Sequence, residues 1–178
     1  LPGKFPESMI YDCGFDEYFA WLPNEHLTLG AFDLKDLETL QLDAVNKGSR
    51  FWNPVVYRDG KRVATTEDDY GPDLFAEYAI DFFTRHRDEP FFLYYPMALT
   101  HTPWDPTPDP NAPGQKTKGG IQANTEYLDH IVGRIVSALD RLGLRENTIL
   151  FFTGDNGTKQ YGDMTSGKGS MTELGAHV

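Results

Sequence analysis

The sequence predicts an α/β fold, a mostly parallel sheet flanked by helices, and three observations carry that expectation. Two segments, 74–83 and 128–142, repeat their apolar residues at helical spacing. Two short apolar runs, Phe91-Phe92-Leu93-Tyr94-Tyr95 and Ile149-Leu150-Phe151-Phe152-Thr153, have the length and composition of strands buried on both faces. The order helix, strand, loop, helix, strand is that of parallel βαβ units with right-handed crossovers.

Taken in order, residues 1–50 read as irregular, aromatic from Tyr11 to Trp21, with a short helix expected around Leu34 to Leu42. Val55 to Ala64 reads as a β-hairpin, because Asp59-Gly60 suits a type I′ turn. After Pro72 the period changes to that of a helix. Leu74, Phe75, Tyr78, Ala79, Phe82 and Phe83 form one stripe that ends near His86 and Arg87. The first apolar run follows, then a Pro-rich connection from Pro96 to about Gly119 that carries Thr100-His101-Thr102-Pro103-Trp104. Connections this long inside a compact domain are often functional. The strongest helix comes next, with Leu128, Ile131, Val132, Ile135, Val136, Leu139 and Leu142 on one face and Gly143 as its stop. The second apolar run leads out of it. No internal repeat or low-complexity block interrupts the series.

Composition narrows the function classes. The 178 residues suit one domain, and 39% hydrophobic with 13% aromatic residues is ample material for a core. Formal net charge is −11 and the isoelectric point about 4.7, so nucleic-acid phosphates and anionic membranes are repelled. An anionic substrate would need a local positive field from a metal and a few Lys or His side chains. Cys13 is the one cysteine, which leaves no disulfide framework and reads as a small, partly buried thiol. No apolar stretch approaches the ~18–20 residues of a membrane span, and Leu1-Pro2-Gly3-Lys4 does not read as the start of a signal peptide.

The second apolar run stops at Gly154-Asp155-Asn156-Gly157. Those residues suit a turn, and equally a hard cation, which a carboxylate and an amide oxygen would coordinate. In an open parallel sheet, ligands bind beyond the carboxyl ends of the strands. His101 follows one run and Asp155-Asn156 the other, so the topology puts them on one rim. Lys168, in the flexible Ser166-Gly167-Lys168-Gly169-Ser170 segment, could bring an ammonium to an oxyanion there. A metal pair, an imidazole and an ammonium together suit hydrolysis of a charged ester. His26, His86, His130 and His177 read as structural, and Asp81, Asp129 and Asp140 as helix-surface residues. Asp68-Asp69 reads as an aid to a helix N-terminus.

An ordered set of pieces adds to this. It comprises Gly14-Phe15-Asp16-Glu17-Tyr18-Phe19, Pro90-Phe91-Phe92-Leu93-Tyr94, His101-Thr102-Pro103, and Tyr127-Leu128-Asp129 with Val132-Gly133-Arg134-Ile135. Glu146-Asn147-Thr148, Phe152 to Gly157 and Gly167-Lys168-Gly169-Ser170 complete it. In these pieces the chain resembles the sulfatase family of the alkaline phosphatase-like superfamily. The resemblance implies a sulfuric ester hydrolase with Asp155 and Asn156 as ligands of a catalytic Ca²⁺, Mg²⁺ being the alternative. It implies His101 as a substrate contact and general acid, and Lys168 as a sulfate-binding residue. It implies a sulfated small molecule or sulfated glycan as substrate, no nucleic-acid partner, and a periplasmic, extracellular or lysosomal setting. The formylglycine motif Cys/Ser-x-Pro/Ala-x-Arg is absent, as are the paired aspartates and the Gly-Lys-Trp-His segment of the family, and Leu174 and His177 depart from its Glu-Gly-Gly-x-Arg-Val pattern. Residues 1–178 are therefore expected to be the central part of the catalytic domain, an α/β fold incomplete in this chain, with formylglycine in a preceding segment. Other expectations consistent with the residues are an inert fragment, and a phosphate or phosphonate ester hydrolase of the same superfamily. An incomplete sheet should leave an apolar edge prone to self-association.

Overall fold

The computed structural model describes residues 7–21 and 50–156. The helix expected around residues 34–42, and the expectations for His26, Lys168 and His177, lie outside the described residues. The chain divides into two units, Leu1–Leu144 and Arg145–Val178.

The first unit opens with helix α1 (Glu7–Asp12). Cys13 sits in the turn that ends it and is exposed, not partly buried as the sequence suggested, because a six-residue helix offers no groove to cover it. Strand β1 (Phe19–Trp21), in a stretch read as irregular, pairs antiparallel with β2 (Val56–Arg58), which pairs antiparallel with β3 (Lys61–Val63). The Asp59-Gly60 turn joining β2 to β3 has positive φ at both residues, 48° and 76°, as type I′ geometry requires. The Asp59 carboxylate also accepts the Tyr18 amide at 2.8 Å, which docks β1 onto the hairpin.

Helix α2 (Gly71–Arg85) carries Pro72 in its first turn, where the missing N–H would have no partner anyway. Gly71 is required by close approach. A Cβ there would lie 2.1 Å from the Arg50 carbonyl oxygen, and its N–H donates to the Phe51 carbonyl at 2.6 Å. Asp69 does not cap this helix. Its carboxylate accepts the Thr66 amide and hydroxyl at 2.6 and 2.9 Å, closing the preceding turn instead.

Helix α3 (Ile121–Arg141) buries Asn124, Tyr127, Ile131, Ile135, Ala138 and Leu139. It ends as Gly143 predicts. Gly143 has φ 69°, its N–H donates to Asp140 O, and Leu144 N–H reaches back to Leu139 O at 2.9 Å. That pair of bonds is a Schellman stop, with Leu144 packed against the core that holds Leu139. Helices α2 and α3 pack together through Ala76, Phe82, Phe83, Tyr127, Ile131, Ile135 and Leu139.

Between the helices, Asp73 of α2 accepts both Tyr127 Oη (2.9 and 2.8 Å) and Arg134 of α3, and Arg134 also reaches Glu77 at 3.7 Å. Burial, reinforced by Asp73, pushes the Tyr127 phenol far above its ordinary range, so it stays a donor. A second polar knot ties residues 7–21 to the end of α2. Glu17 accepts from Arg85 at 2.8 and 2.9 Å, from His86 at 2.6 Å and from Tyr78 at 3.0 Å. Burial works to raise the Glu17 carboxyl, but those three donors outweigh it and hold the group at about 2. His86 is raised by Glu89 and then by Glu17.

The two apolar runs are not paired strands among the described residues. Residues 91–95 run extended along the core, with Phe91, Leu93 and Tyr95 half-buried against it while Phe92 and Tyr94 stay exposed. In the second unit, a 3₁₀ turn at Arg145–Asn147 leads into a stretch outside helix and strand in which Ile149, Leu150, Phe151 and Phe152 are all exposed. A strand needs at least one neighbour for its ladder, and the sheet among the described residues is antiparallel with the order β1-β2-β3. No helix among the described residues is long and apolar enough to cross a membrane.

Candidate functional site

His101 lies in the Pro-rich connection, exposed, at the end of the extended run that starts at Phe91. The connection is held by a local framework. Trp104 Nε1 donates to Thr100 O at 3.1 Å, and Gly120 N–H donates to Trp104 O at 3.0 Å. Farther along, residues 107–117 fold back on themselves through Thr117 N–H to Thr107 O (2.8 Å) and Asp109 N–H to Gln115 O (2.9 Å). The fully buried Asn124 of α3 donates its amide to Asp105 O and Gly120 O at 3.0 and 2.9 Å, anchoring both ends of that fold to the helix.

Arg50 is the partner of His101. Arg50 Nη2 lies 2.9 Å from His101 Nδ1 and donates to Thr102 O at 2.6 Å, and His101 Nδ1 is itself 2.7 Å from that carbonyl. The guanidinium sits over the Trp21 ring at 5.5 Å and the Phe51 ring at 5.6 Å, contacts that hold a cation in place. Burial lowers the Arg50 pKa, and the group still carries its charge. Sequence reading missed Arg50, which follows a Gly-Ser pair in a stretch with no periodicity and stands 51 positions from His101. It also missed Asn124, a polar residue on an otherwise apolar helix face.

Electrostatics separates two places in the first unit. A cleft of about 460 Å³ is lined by Asp109, Glu126, Asp129 and His130, besides Thr107, Asn111, Thr117 and Tyr127. Three carboxylates there repel an anion. The His101 edge, with a guanidinium beside it, attracts one. His86, His130 and Asp81, read as structural or helix-surface residues, each make local side-chain contacts. His86 joins the Glu17 knot just past α2, the His130 ring lies tilted against Tyr127 with centroids 5.3 Å apart, and Asp81 pairs with Arg58 and Arg85.

Asp155 and Asn156 belong to the second unit, exposed in a bend directly after the apolar run. By donor type the pair suits a hard cation, but it falls short in number, since Ca²⁺ takes about 6–8 oxygen ligands. Among the described residues no three His, Cys, Asp or Glu side chains cluster where they could hold a metal ion. Lys168 lies outside the described residues.

A family model described as Sulfatase matches residues 12–177. The chain belongs to the sulfatase family. Among sulfatases, the N-acetylgalactosamine-6-sulfatase of Mus musculus is 33% identical over 167 residues, 87% of this chain and 28% of that protein. The N-acetylgalactosamine-6-O-sulfatase of Bacteroides thetaiotaomicron is 37% identical over 58% of this chain and 20% of its own length. The steryl-sulfatase of Rattus norvegicus is 37% identical over 46% of this chain and 14% of its own length. The chain thus spans well under a third of the curated sulfatases it matches. The crystal structure of Ps i-CgsB in complex with k-i-k-neocarrahexaose superposes with a TM-score of 0.64 at 23% identity, covering 98% of this chain and 40% of that one. Family and superposition support the α/β, alkaline phosphatase-like fold that the family resemblance implied.

Proposed function

We propose that the protein to which these residues belong is a sulfuric ester hydrolase, converting R–O–SO₃⁻ and water to R–OH and hydrogen sulfate. Residues 1–178 are the central part of its catalytic domain. The family match over residues 12–177 carries this reading. The exposed His101 with a guanidinium beside it supports it, because that edge suits an anionic ester. His101 gives a proton to the bridging oxygen as the S–O bond breaks, so the alcohol departs neutral. Lys168 binds a sulfate oxygen. Asp155 and Asn156 contribute two oxygen ligands toward Ca²⁺, or Mg²⁺, with the remaining ligands from other residues. When bound, the cation neutralises charge on the sulfuryl group. No Cys/Ser-x-Pro/Ala-x-Arg motif occurs in the chain, so the nucleophile, a formylglycine, comes from outside these residues.

Sulfated glycans are the substrate class this reading favours. The mouse relative named for N-acetylgalactosamine 6-sulfate aligns with 87% of the chain, against 46% for the rat steryl-sulfatase. A periplasmic, extracellular or lysosomal setting accords with such substrates.

The test compares 4-nitrophenyl sulfate, a 6-sulfated N-acetylgalactosamine glycoside and 4-nitrophenyl phosphate on the full-length protein, with and without chelator. Sulfate turnover is expected to stop with chelator and to fall about 10²–10⁴-fold in His101→Ala, the range for a general acid. Faster phosphate cleavage would reassign the protein to phosphate or phosphonate esters. No turnover of either ester by folded protein would make it inert.

A further inference from the structure

The contacts around His101 join three groups in a closed triangle: one guanidinium nitrogen, one ring nitrogen and one carbonyl oxygen, at 2.9, 2.6 and 2.7 Å. An arginine only donates and a carbonyl only accepts. The triangle therefore gives Nδ1 a partner in either state. Bare, Nδ1 accepts from Arg50. Protonated, it donates to Thr102 O. The ring's other nitrogen, Nε2, makes no hydrogen bond among the described residues. We infer that Arg50 is a positioning residue for the sulfatase reaction, fixing the His101 imidazole by its Nδ1 edge so that Nε2 is the edge presented to the ester.

This rests on the function proposed above and adds a residue to it. The arrangement is built rather than incidental. The guanidinium is held over the rings of Trp21 and Phe51, and the Arg50 backbone is seated against the glycine that opens α2. Thr102 O, the third corner, is contributed by the residue next to His101, so ring and carbonyl move together. A group that orients a working histidine through its second nitrogen lowers kcat when removed, whereas loss of its charge alone would only weaken anion binding and raise KM.

Two measurements on the full-length protein test this. Steady-state kinetics of Arg50→Met on 4-nitrophenyl sulfate should show kcat itself lowered about 10- to 100-fold, the loss typical when a partner that orients a histidine is removed, and not only the raised KM that loss of an anion-attracting charge would give. Independently of activity, ¹⁵N–¹H multiple-bond spectra of histidine-labelled protein at alkaline pH report which ring nitrogen carries the proton. The His101 signals are assigned by their loss in His101→Gln. Without the Arg50 donor, the neutral ring is expected to shift toward the Nδ1–H tautomer that Thr102 O alone favours. Arg50→Gln covers the case in which the methionine variant does not fold. A folded variant with unchanged tautomer balance and unchanged kcat would overturn the inference while leaving the sulfatase assignment standing. A tautomer shift in a protein that cleaves no sulfate ester would support the positioning of His101 and refute the proposed reaction instead.

Discussion

The runs 91–95 and 149–152 are both apolar and meet opposite fates. In the first, alternate side chains, Phe91, Leu93 and Tyr95, lie against the α2–α3 core, and Phe92 and Tyr94 face outward at 75% and 66% exposure. In the second, four consecutive apolar residues are exposed, Ile149 at 82% and Phe151 at 87%. The first run has a surface beneath it, because α2 and α3 bring their apolar stripes together on one side of it. The second follows a 3₁₀ turn, with no such surface among the described residues of its own unit. Apolar composition states a need for burial, and geometry decides whether a neighbour answers it. Exposed apolar runs of this kind are where strand partners or other molecules attach.

The largest expected effect contrasts the core with the second run. In the 178-residue chain, Ile131→Ala removes a fully buried side chain from the α2–α3 contact and should destabilise by about 2–5 kcal/mol in denaturant titrations. Phe151→Ala should change stability by less than about 0.5 kcal/mol while lowering hydrophobic-dye binding. Equal losses from the two substitutions would erase the distinction between the runs.

Next in size is Asp73→Asn, which weakens the bonds from Tyr127 and Arg134 and loosens the surface under residues 91–95. Its expected cost is about 1.5–3 kcal/mol, the range for hydrogen bonds to a charged group. Hydrogen exchange should then quicken in α2 and α3 together, and quickening in one helix alone would show that the carboxylate does not couple them.

The smallest effect sharpens the picture of the first run's outer face, where Phe92 stacks on Phe15 of the segment that Glu17 ties down. The Glu17 carboxyl is lowered from 4.5 to about 2, so its stabilisation is complete above pH 4.5 and lost as pH falls through about 2. His86 is raised from 6.5, so its share is complete below that value and fades as pH rises through the higher folded one. Exchange protection of residues 7–21 should therefore be greatest between pH 4.5 and 6.5. Glu17→Gln should flatten the acid limb and weaken the tether by about 1 kcal/mol, and an unaltered pH profile in that variant would rule the carboxylate out as the cause.

Sequence alone made α2 and α3 legible, but not the six-residue α1, because stripes at 3.6-residue spacing need several turns to read, and the Asp59-Gly60 turn was legible because few pairs tolerate two positive φ angles. Strand β1 was not, since three residues carry too short an alternation to read. The candidate site was legible only where chemistry is concentrated in adjacent residues. His101 and Asp155-Asn156 could be found from their place after apolar runs, but Arg50 could not, because its link to His101 spans 51 positions and depends on how the backbone docks at α2. Asn124 was missed for a related reason. A buried amide satisfied by two loop carbonyls looks, in a sequence, like a polar interruption of an apolar face.

At Gly71, the difference between a hydrogen atom and a methyl group is felt beyond the helix it begins. The 2.1 Å that a Cβ would leave to the Arg50 carbonyl cannot be absorbed by turning a side chain, since both sides of the contact are backbone. A single added carbon would displace Arg50 itself, and the disturbance would surface at the imidazole the guanidinium touches. The first residue of α2 thus works as a spacer gauge for His101, tuned by what it leaves out.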